Sequence, residues 1–330
     1  MASFVLRRVV HSVILVLVTI TATFFAVQLA PGDPLSRYYS PDIDPAAMDR
    51  VRTQLGLDAP AIVQYGRWLW SFVRGDFGVS ISKHRPVGTI LRETVPRTLQ
   101  LTVVAFLVQL LVGLGIGMAA AWKRHRPPDR ILTGTALVIY AIPAFYLAYL
   151  LIALLSLRLD WLPTSGIQSI GLEGASHWSV FTDRLAHMVM PVLVLGVASA
   201  AGLARFTRGS VLEAISEDYI RTARAKGVAE GKVIWWHAFR NALPPIMTVV
   251  GLSVPFLLGG AVVVEKVFAW PGMGALLVDS IFARDYPVVL AVNFIAACMV
   301  IIGNLIADVS YLLADPRTKL ASSGATPDGE

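Results

Sequence analysis

Six long apolar runs alternate with polar stretches along this chain: residues 9–30, 98–121, 132–156, 187–204, 244–265 and 287–313. A bilayer-spanning helix needs about 20 mostly apolar residues, so each run predicts one spanning helix. The fourth is the shortest and begins near Pro191; the fifth is interrupted by Pro255. Proline is tolerated in membrane helices, where neighbours re-satisfy the backbone. The first run follows Arg7 and Arg8 as a secretory leader would. It is longer than the ~7–15-residue core of a leader, and it ends "VQLAPGD" with bulky Gln28 in place of a small residue. It reads as a retained helix.

Two polar stretches have internal structure. Residues 31–97 form a long insert after the first span. Within it, "DPAAMDRVRTQLGL" (44–57) starts with Asp44 as cap and Pro45 at the first helical position. "PAIVQYGRWLWSFVRG" (60–75) puts Ile62, Tyr65, Leu69 and Phe72 at helical spacing. The insert reads either as a small helical cap packed on the bundle or as a docking surface for an outside partner. The second stretch is the polar island between the fourth and fifth runs. From Glu213 to Lys226 it has neither Gly nor Pro, and Ile215, Tyr219 and Ala223 fall on one face. Acidic Glu213, Glu217 and Asp218 come early and basic Arg221, Arg224 and Lys226 come late, an order that suits the helix dipole. Gly227 is placed to close that helix in a left-handed conformation. A second helix over 230–242 is expected to stop at Pro244–Pro245.

Composition agrees with the runs. Of 330 residues, 55% are hydrophobic and 15% charged, against about 25% charged in a soluble domain, and the mean hydropathy is +0.65. The net charge of +6 is a topology signal rather than a nucleic-acid footprint. Arg7, Arg8, Lys123, Arg124, Arg126, Arg130, Arg205, Arg208, the island, Arg317 and Lys319 all fall on one side of a six-span chain. By the positive-inside rule that side is cytoplasmic, with both termini and the island on it. Cys298 is the single cysteine, so neither a disulfide framework nor a cysteine metal cluster is expected. The tail "ASSGATPDGE" (321–330) has the composition of a disordered segment.

The island's "GVAEGK" invites a test for phosphate binding. A P-loop needs four spacers between its glycines and a hydroxyl after the lysine. Here three residues separate Gly227 from Gly231, and Val233 follows Lys232. Nucleotide binding is rejected on both counts. No H-E-x-x-H occurs, and no histidine pair sits at metal-ligand spacing on one helix. An ion-coupled secondary transporter would place ionisable groups inside its spans, whereas the span centres hold Gln109 and Asn293. In the second span Gly113, Gly115 and Gly117 read as a helix-packing surface, and Pro143 and Pro191 as kinks.

Several stretches together carry a family resemblance. "FTRGSVLEAISEDYIRTARAKGVAEGKVIWWHAFRNALPPIMTVVG" (206–251) closely resembles the cytoplasmic loop of ABC-importer permeases of the dipeptide/oligopeptide type. "LRRVVHSVILVLVTITATFFAVQLAPGDPL" (6–35), "EKVFAWPGMGALLVDSIFARDYPVVLA" (265–291) and "ADPRTKL" (314–320) look like the first span, the segment before the last span and the ending of the B-type subunit. The general importer loop carries E-A-A-x-x-x-G. Arg221-Thr222-Ala223 stands where Glu-Ala-Ala would be, and Gly227 supplies the glycine. Gly231 and the pair Trp235-Trp236 look less usual for the family.

The resemblance implies an all-α polytopic protein of the type I ABC importer permease fold. Its expected parts are a cytoplasmic start and first span (1–30), an extracytoplasmic helical insert (31–97), the membrane domain (98–313) and a disordered cytoplasmic tail (314–330). The loop over 205–243 would couple to ATPases, chiefly from residue 213 on. Expected coupling residues are Glu217, Asp218, Tyr219, Arg221, Thr222, Ala223, Arg224, Ala225, Lys226 and Gly227. The implied partners are a C-type sister permease, two ATPase subunits or one fused ATPase, an extracytoplasmic solute-binding protein, and membrane lipid. ATP and Mg would be bound by the ATPases, with no cofactor and no chemistry in this chain. The implied cargo is a short peptide, or else a nickel chelate, glutathione or another small solute. The implied location is a bacterial inner membrane.

Overall fold

A computed structural model of the chain describes residues 2–29, 50, 53, 58–172 and 174–314, and these are mainly helical, with longer non-helical stretches at 74–86 and 159–176. The elements are α1 (Ala2–Leu29), α2 (Ala61–Val73), α3 (Val87–Trp122), α4 (Pro127–Ala141), α5 (Ala144–Leu151), α6 (His177–Val192), α7 (Ala198–Ser216), α8 (Asp218–Ala225), α9 (Phe239–Val267), α10 (Met273–Ala283) and α11 (Tyr286–Ala314). π-type turns extend α5 through Arg158, join α6 to α7 over Leu193–Val197, and lead into α9 over Val233–Ala238. Among the described residues, five continuous helices are long and apolar enough to cross a bilayer, and a sixth span results if the bent pair α4–α5 counts as one. The chain is a multi-pass membrane protein.

Four sequence expectations change in detail. The 132–156 run is not one straight helix: α4 and α5 meet at a 103° bend at Pro143, where the ring removes a donor and sets an extended residue before it. The "short" fourth span belongs to a 40-residue helical segment, His177–Ser216. Ser176 caps its start by accepting the Ser179 N–H, and Pro191 is absorbed just before the π-type turns. The helix after the island does not stop at Pro244–Pro245 but runs from Glu230 to Val267. Ala242 and Ile246, on either side of the prolines, are buried, and this packing outweighs the loss of two donors. The fourth change is a break at Glu217, inside the polar island. Apart from residues 50 and 53, the predicted helix over 44–57 lies outside the described residues, as do the "PGDP" exit and the tail 321–330.

The chain falls into two compact units, one of residues 1–97 and 275–299 and the other of residues 98–274 and 300–330. In the first, α2 packs Tyr65, Trp68 and Phe72 against Phe24 of α1 and Phe294 of α11. The predicted α2 face is therefore split, since Ile62 points away and is exposed. A second anchor is Asp285, which is fully buried. Its carboxylate accepts from the Ser80 hydroxyl (2.5 Å), the Ser82 hydroxyl (2.7 Å) and the Ile81 and Ser82 amides (3.1 and 3.0 Å). This pins the 79–86 turn to the start of α11.

In the second unit, α3 and α7 pack closely. A methyl group added at Gly117 would sit 2.6 Å from the Thr207 Cβ, and one at Gly113 would meet Leu203. Gly115 faces open space. The i, i+4 glycine pair thus serves close packing, as small residues do in membrane bundles. Two buried carboxylates tie helices together. Glu265 accepts from Thr98 (2.6 Å), whose oxygen accepts the Met273 N–H (2.7 Å). Asp129, in the first turn of α4, receives both arms of Arg208 on α7 (2.6 and 2.8 Å) and the His125 N–H (2.9 Å). Arg208 is thus more than a topology signal. Asp129 is 3% exposed, and stripping the partner from a buried charge typically costs about 3–5 kcal/mol. Arg208→Ala should therefore lower the unfolding free energy of the detergent-solubilised protein by about that amount. Asp129→Leu combined with Arg208→Met should recover most of it. Equal stability of Arg208→Ala and the double variant in thermal unfolding would contradict the assignment.

Candidate functional site

The polar island resolves into two helical pieces joined by one tight turn. α7 ends at Ser216, and Glu217 is extended (φ −74°, ψ 152°). The expected unbroken helix from Glu213 to Lys226 is therefore corrected to a break at Glu217, after which α8 begins. The break rotates the faces. In α8 the buried residues are Ile220 and Ala223, while Tyr219 turns outward and is 39% exposed. Ile215, Tyr219 and Ala223 do not share one face, because the i, i+4, i+8 rule assumes an uninterrupted helix.

Ile220 and Ala223 seat α8 in an apolar cluster with Val211 and Ala214 of α7 and with Val233, Ile234 and Ala238 of the following segment. Met118 of α3 and Ala242 and Ile246 of α9 complete it, and Val228 packs against its edge. The opposite side of α8 presents Asp218, Arg221, Thr222, Arg224 and Lys226 to the exterior. Of the ten expected coupling residues, Ala223 alone is buried; it holds the helix rather than offering contact. Ile220 was not among them, and its apolar character inside a polar stretch was the available signal.

The end of α8 is a complete Schellman closure. The Val228 N–H donates to the Ala223 carbonyl (3.2 Å) and the Gly227 N–H to the Arg224 carbonyl (2.9 Å). Gly227 has φ +74°, as the sequence predicts, and Val228 adds the usual apolar contact. Gly231, by contrast, lies in the first turn of the next helical segment. The "GVAEGK" stretch is thus spent on a helix end and a helix start.

Charges reinforce the turn. Arg224 reaches across it to Glu230 with two hydrogen bonds (3.1 and 2.6 Å). Glu230 raises the Arg224 pKa above its ordinary value through that hydrogen bond, partly opposed by burial. Both side chains are about half exposed, so the pair fixes an angle more than it adds stability, at most about 1 kcal/mol. The Arg221–Asp218 pair (3.2 Å) is open to water on both sides. Tyr219 has its pKa raised, first by burial and then by Glu217, with the Asn241 side chain opposing. Beyond the turn, Trp235 and Trp236 are exposed; Trp235 meets Phe239 edge-on (6.2 Å), and the Arg240 guanidinium lies 5.9 Å over Trp236. Among the described residues, no group of three or more His, Cys, Asp or Glu could hold a metal ion.

The chain resembles known proteins along nearly its whole length. The family described as "Binding-protein-dependent transport system inner membrane component" matches residues 113–320, and its N-terminal companion matches residues 1–102. The oligopeptide transport system permease protein AppB of Bacillus subtilis is 41% identical over 318 residues, covering 96% of this chain and 99% of that protein. The glutathione transport system permease protein GsiC of Salmonella paratyphi A is 42% identical over 319 residues, covering 97% and 99%. In three dimensions the chain is similar to a structure titled inward facing conformations of the MetNI methionine ABC transporter. The TM-score is 0.56 at 18% identity, covering 68% of this chain and 96% of that one, and this likeness supports the type I importer fold.

The Schellman closure carries a local prediction. A left-handed residue other than glycine costs about 1–2 kcal/mol, and β-branching makes it worse. Gly227→Val should weaken hydrogen-exchange protection of the Gly227 and Val228 amides, while Gly227→Asn, which tolerates this conformation, should weaken it less. Equal protection in both variants would remove the constraint.

Proposed function

Because the chain belongs to the family of binding-protein-dependent transport system inner membrane components, we propose that it is one of two membrane subunits of an ATP-driven importer and that its cargo is a short peptide. The observation that carries this reading is the near full-length likeness to permeases named for oligopeptide and for glutathione transport. Glutathione is itself a small peptide. The likeness to a glutathione permease also favours a second reading, in which this chain serves glutathione or a similar small solute. The sister subunit completes the path, and an extracytoplasmic binding protein delivers cargo to it.

In this reading α8 is the contact with the ATPase subunits. Glu217, Asp218, Tyr219, Arg221, Thr222, Arg224, Ala225, Lys226 and Gly227 form the outward surface, and their exposure supports it. ATP and Mg belong to the partners, and this chain performs no covalent chemistry. Closure of the ATPase pair displaces α8. Its anchors, Ile220 and Ala223, share a core with α7 and with the segment leading into α9, so the displacement passes to two spans at once. ATP and the loaded binding protein each bias the same two-state element, and are thereby coupled. Both termini and α8 lie on the cytoplasmic side. The Lys and Arg distribution supports that orientation.

Cysteines introduced by Arg221→Cys or Thr222→Cys should crosslink to an ATPase subunit. Proteoliposomes with all subunits should take up a labelled tripeptide only with ATP inside the ATPase compartment. Gly227→Val should insert normally yet lose uptake. Uptake without the ATPases would instead identify an ion-coupled carrier, and labelling of these cysteines from outside intact cells would reverse the orientation.

A further inference from the structure

α2 is a two-faced helix whose second face the transport reading does not use. One face carries Tyr65, Trp68 and Phe72. Tyr65 shares a hydrogen bond with Thr21 of α1 (2.6 Å) and meets Phe24 edge-on (5.3 Å), Trp68 lies 5.5 Å from Phe24, and Phe72 meets Phe294 of α11 edge-on (4.7 Å). The other face exposes Ile62 (67%), Trp70 (61%) and Val73 (75%), with Val63 beside them. Arg67 and Arg74 run along one edge of that stripe, and the Arg74 guanidinium sits 4.2 Å over the Trp70 ring. The helix contains no acidic residue.

The depth of this helix can be read from what it touches. Thr21 and Phe24 lie inside the apolar segment Val10–Leu29. At about 1.5 Å per residue, they sit roughly 12 and 7.5 Å before Leu29, next to Ala30, the last apolar position before "PGD" in the sequence. Amphipathic helices that rest in a bilayer surface bury their apolar face to about 5–10 Å. The inner face of α2 is thus tied to span residues at the depth where acyl chains begin. On α1 too, apolar residues stand uncovered: Val13, Ile14, Leu15, Leu17 and Val18. Tryptophan and arginine at the edge of such a stripe suit the headgroup layer, the ring amphipathic and the guanidinium reaching phosphate.

We propose that α2 is an interfacial helix: its Ile62–Trp70–Val73 stripe is immersed in lipid of the leaflet where α1 ends, and Arg67 and Arg74 meet the lipid phosphates. It thereby acts as a float that sets the height of the insert on the membrane. The proposal is independent of cargo. It is tested in the full-length chain, within its native complex, in liposomes. A nitroxide is attached in turn at Ile62→Cys, Trp70→Cys and Val73→Cys, each with Cys298→Ser so that one site is labelled. Collision with oxygen, which partitions into lipid, is compared with collision with a water-soluble nickel chelate. Oxygen should dominate at all three positions and the chelate at a Lys83→Cys control. Dominance of the chelate at the stripe would overturn the proposal by placing it in water. Shielding from both reagents would overturn it by showing that protein, either another subunit or another part of this chain, covers the face.

Discussion

Hydrocarbon offers a peptide group no hydrogen-bond partner, so a chain crossing it must satisfy its backbone within helices. Each irregularity in this protein is placed in relation to that constraint. The sharp break at Glu217 and the turn at Gly227 fall in the polar island, between two candidate spans. Pro191 and Pro255 are absorbed within helices. Where α4 and α5 do bend sharply at Pro143, Ala148 of α5 remains buried in the apolar core formed with Met190, Leu195 and Leu257.

The island shows how a short polar helix is made rigid with few residues. α8 has eight residues, too short to be stable alone. It is held by apolar burial at Ile220 and Ala223, by a closure that uses two orphan carbonyls, and by Arg224 bridging to Glu230. The outward polar face is then free to be read by a partner, while the inward face is continuous with the core of the spans. Buried and exposed residues thus alternate along α8, with Ile220 and Ala223 inward and Arg221, Thr222 and Arg224 outward.

Three buried carboxylates are each compensated. Asp285 accepts four hydrogen bonds from one turn, Asp129 takes both arms of an arginine, and Glu265 is bonded by Thr98. Uncompensated, each would be costly. Compensated, each fixes a loop or a helix end whose position apolar packing alone would leave loosely specified. The same economy explains why ionisable residues near span ends need not signal ion transport.

Much of this was legible in the chain itself. Apolar runs located the spans and Gly227 announced the helix closure, because both depend on local backbone geometry and near neighbours; Gly113 and Gly117, at i and i+4, announced close packing, although not their partners Leu203 and Thr207. The motifs around 206–251 and 265–291 carried the family resemblance without any knowledge of the fold. The exact faces were not legible. Ile215, Tyr219 and Ala223 share a face only in an unbroken helix, and Glu217 breaks it. Arg208 has the look of a topology charge, yet it meets Asp129. Pro244–Pro245 has the look of a stop, yet Ala242 and Ile246 are buried beside it. Local propensity weighs one residue against its near neighbours, whereas these outcomes turned on partners in distant segments, such as Asp129 and Arg208, 79 positions apart. The sequence by itself determined which segments are apolar enough to be spanning helices and that a helix closes at Gly227. Tertiary structure decided which side of each helix is buried, because burial is a property of two surfaces and a periodic pattern describes only one.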